Sequence, residues 1–226
     1  VLEWFSSPLF GVALSILTYA FGVWVNKKLR TPIANPLLIA ILLVIAFLKL
    51  TGIPLEAYQA GGSFINMFLA PATACLAMSI YSQIDLLKKN LFPILAGSAA
   101  GSAASMGSVW LLCRLFKLDE KVTVSLLPKS VTTPIAMGVS EQLGGIVSIT
   151  VAAVVFTGIL GAILAPLLIK LFRIKDPVAA GLAIGACSHA VGTSKALELG
   201  EAEGAMSSIA IGVCGLMTVL FSLFLH

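Results

Sequence analysis

Long apolar stretches alternate with short polar ones along the whole chain, and the apolar lengths decide the class of protein. Runs at about 8–26, 35–53, 62–82, 91–113, 146–172 and 204–225 each approach the ~20 residues that cross a bilayer core as a helix. Two further stretches, 121–142 and 177–200, have similar length but are interrupted by Pro, Gly and hydroxyl side chains. The pattern predicts an all-α polytopic membrane protein with roughly 7–8 transmembrane or re-entrant segments, and residues 1–226 read as one integral membrane domain.

Boundary signals orient these segments. The first run is followed at once by Asn26-Lys27-Lys28-Leu29-Arg30. A cleavable signal carries its positive charge before the apolar stretch, so this run reads as a retained span with its basic loop in the cytoplasm. The chain opens on Val1, which reads as a trimmed N-terminus. The second run opens with Asn35-Pro36, suited to a first helical turn, and its exit, Thr51 to Glu56, lacks basic residues and fits the outer side. The third run is interrupted at Ala70-Pro71-Ala72-Thr73 and emerges at Lys88 and Lys89, which fits the cytoplasmic side. Pro71 either kinks a helix or marks a broken segment whose freed backbone groups face a site, with Thr73 beside it. Gly97 and Gly101 stand at the spacing that lets helices approach closely, and Gly158 and Gly161 extend the theme. Such faces predict tight packing and a homo-oligomer, a dimer first of all. Pro166 predicts a kink in the 146–172 run, and Asp176-Pro177 a turn after it.

Composition supports the membrane reading. Of 226 residues 59% are hydrophobic and 11% charged, and mean hydropathy is +1.06; a soluble domain carries about 25% charge. The net charge is +4, and eleven of the 14 basic residues lie in four short clusters: Lys27, Lys28, Arg30; Lys88, Lys89; Arg114, Lys117, Lys121; and Lys170, Arg173, Lys175. This distribution suits lipid headgroups at membrane boundaries rather than a nucleic acid. Lys49 ends an apolar run, from which its stem reaches the interface. Strict alternation would put both 114–121 and 170–175 outside. One segment that enters and leaves on the same, outer, face between them resolves the conflict, and the proline-broken 121–142 stretch is that segment. Cys75, Cys113, Cys187 and Cys214 are dispersed without ligand spacing and read as small buried hydrophobes.

Two cations remain away from the clusters, Lys129 and Lys195. Lys129 lies between Pro128 and Pro134 beside Ser130, Thr132 and Thr133; a loop lysine is the bland alternative. Proline on both sides rules against a continuous helix. Broken backbone at membrane depth is tolerated only where protein buries it or where it lines a cavity, and a charge there is expensive unless it has a function. The second polar stretch, within 179–200, carries Ser188, His189, Gly192, Thr193, Ser194 and Lys195. A lone histidine in an apolar protein is more often a packing residue, but His189 stands beside a glycine- and hydroxyl-rich break. Ser188 and His189 are adjacent, so they make no triad, and no HExxH, P-loop or GxSxG motif is present; nothing points to an enzyme or to a cofactor. An ammonium, hydroxyl donors and interrupted helix starts together suit a small carboxylate. None of the ten acidic residues falls mid-span, so the coupling ion, proton or sodium, stays open: carbonyls can hold sodium, and an imidazole can relay protons.

Leu127-Pro-Lys-Ser-Val-Thr-Thr-Pro-Ile-Ala136 and Ala186-Cys-Ser-His-Ala-Val-Gly-Thr-Ser194 resemble the LrgB/CidB family, as do Pro71-Ala72-Thr73, Gly158-Ile-Leu-Gly161 and Glu203-Gly-Ala-Met-Ser-Ser208. The resemblance spans nearly the whole chain and is nearest to the YohK-like bacterial branch of that family. It implies an inner-membrane, antiholin-like regulator of murein hydrolase export, paired with a smaller LrgA/CidA-type membrane protein. It also implies a carrier of small monocarboxylates, since plastid members carry glycolate and glycerate and bacterial pairs are linked to pyruvate uptake. Lys195 departs from the pattern, which has Ala or Arg there more often. The polar breaks favour a carrier, with inverted halves and elevator-like motion; a holin needs simple spans and no substrate site. A sensor or scaffold is the third reading.

Overall fold

The computed structural model describes residues 7–29, 31, 34–68, 71, 74, 75, 78, 81 and 84–225. Among them the regular elements are ten α-helices: α1 (Pro8–Leu29), α2 (Pro36–Thr51), α3 (Leu55–Asn66), α4 (Ile84–Lys89), α5 (Leu91–Leu115), α6 (Glu120–Leu126), α7 (Thr133–Gln142), α8 (Val147–Leu171), α9 (Pro177–Leu199) and α10 (Glu201–Ser222). Helices α1, α5, α8 and α10 are long and apolar enough to cross a membrane; α2, with 16 residues, is apolar but shorter. The protein is a helical multi-pass membrane protein. Large apolar side chains such as Leu17, Phe156 and Leu167 point outward, as lipid requires rather than water. The chain divides into two compact units, Val1–Thr73 and Ala74–His226.

The first unit is built on α1. Asn35 caps α2, its Oδ1 accepting from Leu37 N (2.9 Å) and Leu38 N (3.3 Å), with Pro36 in the first turn where its missing N–H matters least. Gly52 ends α2 at φ 68°, a left-handed conformation in which a side chain would be strained. Helix α3 then starts at Leu55, well before the 62 expected for the third run, because Pro54 serves as its N-cap residue directly after that turn. Gly11 of α1 and Gly61 of α3 meet without side chains between them, and Ser15 Oγ and Tyr58 OH share a hydrogen bond (2.8 Å). Pro71 is exposed, and Thr73 lies outside the described residues.

The second unit is framed by α5, α8 and α10. Helices α5 and α8 end alike. Lys117 and Arg173 both take φ 54°, and the next residues, Leu118 and Ile174, return their N–H to Cys113 O (2.9 Å) and Ile169 O (3.0 Å). This motif satisfies carbonyls that the helix end leaves open. Near these ends Arg114 stacks on Trp110, 4.7 Å from the ring centroid, an amphipathic pair of the kind found at a membrane boundary. Helix α8 continues through Pro166, which lies inside it. The small-residue faces pack inside the unit: Gly97 faces Leu182, a Cβ on Gly101 would stand 3.3 Å from Ala186 Cβ, and Gly158 and Gly161 face His189 and Ser188. They serve intrachain contact, so they give no support to a dimer.

Candidate functional site

Two polar breaks in the second unit are helical hairpins. In the first, Asp119 caps α6, accepting from Lys121 N (3.1 Å), and α6 stops after seven residues on reaching Pro128. Tight turns come next, Lys129 N to Leu126 O (3.2 Å) and Val131 N to Pro128 O (3.3 Å), before Thr132 extends (φ −63°, ψ 148°) and α7 starts with Pro134 in its first turn. The chain then returns to where it began. Ile146 N donates to Ser125 Oγ (2.6 Å), so the residue after the hairpin is tied to its first arm. Thr150 Oγ1 donates to Ser140 Oγ (2.7 Å), and Val131 and Ala136 pack on Val154. Both arms therefore lie along the first two turns of α8. The backbone thus folds back on itself over the 121–142 stretch.

The second hairpin hides inside α9. Asp176 caps its start, accepting from Val178 N (3.1 Å), and His189 breaks it at φ 41°, ψ −140°. A Cβ placed on Gly192 would lie 3.1 Å from Ile184 Cγ2. Eight residues of straight helix span about 12 Å, so the chain has turned back. Ile184 and Ala196 accordingly share one cluster with Ala165. His189 is a non-glycine residue in the left-handed region, a strain of about 1–3 kcal/mol that its surroundings must hold. They do so with the imidazole Nε2 at 3.0 Å from Val154 O, and with Thr193 Oγ1 donating to His189 O (3.0 Å) and sharing a hydrogen bond with Ser207 Oγ (2.7 Å). Gly158 and Gly161 leave room for the ring and for Ser188, where a methyl group would collide.

The hairpin tips meet at mid-span. Along α8 the first hairpin covers positions up to Val154, and the second covers Gly158 onward to Ala165 and Ile169. Along α5 the order is reversed: Gly97 and Gly101 face the second hairpin, whereas Ser105 and Met106 face the first through Ser130 and Leu127. Lys129, half-buried, donates to Ser130 Oγ (3.3 Å), which shares a hydrogen bond with Ser105 Oγ (2.8 Å), and it lies within electrostatic reach of Cys187 on the opposite tip. No carboxylate stands within ion-pair range of Lys129 among the described residues. Thr132 is 7% exposed, and its Oγ1 has no hydrogen-bond partner. A buried hydroxyl at a helix start that neither caps the helix nor bonds elsewhere is a group with a vacancy to fill.

The expected residues thus divide. Lys129, Ser130, Thr132, Thr133 and Pro134 form the first tip; Ser188, His189, Gly192 and Thr193 form the second, mostly bonded to their own scaffold. Ser194 is exposed and donates to Ala190 O (3.4 Å), and Lys195 pairs with Glu198 (2.5 Å), so neither joins the tips. Cys113 and Cys214 are buried as expected, whereas Cys75 and Cys187 are exposed. Ser105, Ser207 and the Val154 carbonyl escaped the sequence reading, because each sits in a run that scores as plain apolar helix.

A family model described as LrgB-like matches residues 15–226. The chain belongs to the LrgB-like family. Among the relatives of this LrgB-like chain is an antiholin-like protein LrgB of Bacillus subtilis (strain 168), 41% identical over 215 residues, covering 95% of this chain and 93% of the relative. Another, of the same description, from Bacillus mycoides (strain KBAB4), is 40% identical over 215 residues, covering 95% and 94%. No solved structure matches it.

Proposed function

We propose that this chain is a membrane carrier that binds a small monocarboxylate between the two hairpin tips. One observation carries the reading: the buried, unpartnered Thr132 Oγ1 at the start of α7, beside the unpaired ammonium of Lys129. The first-turn N–H groups of Thr133 and Ile135 precede the first intrahelical bond, Ala136 N to Thr132 O (2.9 Å), and Pro134 offers none. A carboxylate placed there receives an ammonium, a hydroxyl, backbone donors and the positive end of the α7 dipole. One lysine at the tips suits one negative charge, which favours glycolate, glycerate or pyruvate over a dicarboxylate. Uptake of labelled glycolate and pyruvate into proteoliposomes that contain only this chain is the direct test; no uptake of either, with the protein monodisperse and correctly inserted, removes the reading.

A second reading has its own support. The relatives named above carry the description antiholin-like, which supports an antiholin-like role in the membrane more directly than any comparison supports transport. Deleting the chain while supplying Lys129→Ala separates the two. Restored lysis control with no carboxylate uptake supports the antiholin-like role, and loss of both ties lysis control to transport.

A further inference from the structure

We infer that the two hairpins are inverted copies of one unit, and that each is the gate of the mid-span site toward its own face of the membrane. The gating half of this inference rests on the carrier reading; the inverted repeat does not. Helices α5 and α8 are each 25 residues long. They end in Leu115-Phe116-Lys117-Leu118 and Leu171-Phe172-Arg173-Ile174, and the basic residue takes φ 54° in both. An aspartate, Asp119 or Asp176, then caps the next helix. The break falls thirteen residues after each aspartate, at Thr132 and at His189, and ten helical residues close each copy, ending at Gln142 and Leu199. Length, cap, break and closing helix agree in order, and in spacing but for one extra residue, Lys175, before the second aspartate.

The copies are inverted. Helix α5 passes the second hairpin first, at Gly97 and Gly101, and then the first, at Ser105 and Met106. Helix α8 passes them in the opposite order, Thr150 and Val154 before Gly158 and Ala165. Helix α10 repeats the α5 order, with Ser207 at the second hairpin and Gly215 against Ile135 of the first. Each hairpin therefore enters from a different end of the framing helices and stops at their middle. Matching positions show where the copies have diverged: Lys129 corresponds to Ala186, so one tip alone is charged, and Thr132 corresponds to His189.

Few polar bonds latch each tip to the frame. The first is held by Ser130 to Ser105 of α5, and the second by Thr193 to Ser207 of α10 and by His189 to Val154 O of α8. Both latches are made in this structure. Releasing one opens the space between the tips toward the end from which that hairpin enters, while the other stays shut; this is the requirement for moving a ligand without forming a pore.

Substituted cysteines in sealed vesicles, probed with a membrane-impermeant maleimide, test both parts. Lys121→Cys and Ala179→Cys mark the entries of the two hairpins and are expected to react from opposite faces; reaction from one face overturns the inverted arrangement. The gates are read on Cys187 in a chain whose other cysteines are alanine. Ser105→Ala, and Ser130→Ala as its check from the other partner, should raise Cys187 labelling about two- to tenfold from the face that labels position 121, the scale of one lost hydrogen bond. Ser207→Ala should raise it from the face that labels position 179. An increase from the same face in both, or no change in either, overturns the gates. Glycolate added to the same vesicles reads the site separately: opposite-face gating without protection of Cys187 keeps the gates and removes the carboxylate, and protection without face-specific gating does the reverse.

Discussion

Thr132 and Thr193 are both buried threonines beside a helix break, and their hydroxyls have opposite circumstances. That of Thr193 bonds His189 O and Ser207 Oγ; that of Thr132 bonds nothing. Thr193→Val should lower stability by about 1–3 kcal/mol, since it strands a buried partner. Thr132→Val should leave thermal stability unchanged or raise it, yet weaken glycolate binding by about 0.5–1.5 kcal/mol, roughly 2- to 12-fold. Thermal unfolding in detergent and ligand titration on the same samples check the pair; a stability loss in Thr132→Val makes that hydroxyl structural. Lys129→Ala removes a charge without an ionic partner, so folding should persist while affinity falls about 10- to 150-fold. Gly161→Ala drives a methyl group into Ser188 and should destabilise the chain by about 1–3 kcal/mol, or shift the second tip.

At the scale of elements, each hairpin packs on the framing helices through apolar clusters, and a few polar contacts fix its tip and its base. Ser125 accepts the N–H of Ile146 where the first hairpin meets α8, so Ser125→Ala leaves a backbone donor unpaired. A loss of about 1–3 kcal/mol is expected, with faster hydrogen exchange confined to 143–147; exchange that rises evenly over the unit would place the effect elsewhere. The first hairpin is legible in the sequence because proline stops helices for a steric reason that acts locally. The second is legible as a glycine- and hydroxyl-rich break but not as a turn back at His189, because such a stretch can also pass as continuous helix, and only the framing helices force His189 to φ 41°. Asp176 is legible only as part of a turn, and Asp119 not as a cap at all, for the same reason: a residue becomes a cap through the helix that starts beyond it.

For the whole molecule, the hairpin arrangement puts the Lys88–Lys89 and Lys170–Lys175 clusters at the same end of the second unit and Lys117 at the other, since α5 and α8 run in opposite directions past the hairpins. With basic loops held inside, Lys89→Cys and Lys175→Cys should label from the cytoplasmic face and Lys117→Cys from the outer face of oriented membranes; split labelling of positions 89 and 175 would overturn the arrangement. Membrane class, most span boundaries and the charged break around Lys129 come from the sequence alone. Hydropathy, proline sterics and the placement of lysines each act over a few residues and need no knowledge of the partner surface. Tertiary structure alone decided that the second polar stretch folds back, that the small-residue faces are spent within the chain, and that Thr132 is left without a partner. Those outcomes depend on which helices meet, and pairing between segments as far as 116 residues apart leaves no local trace in composition or period.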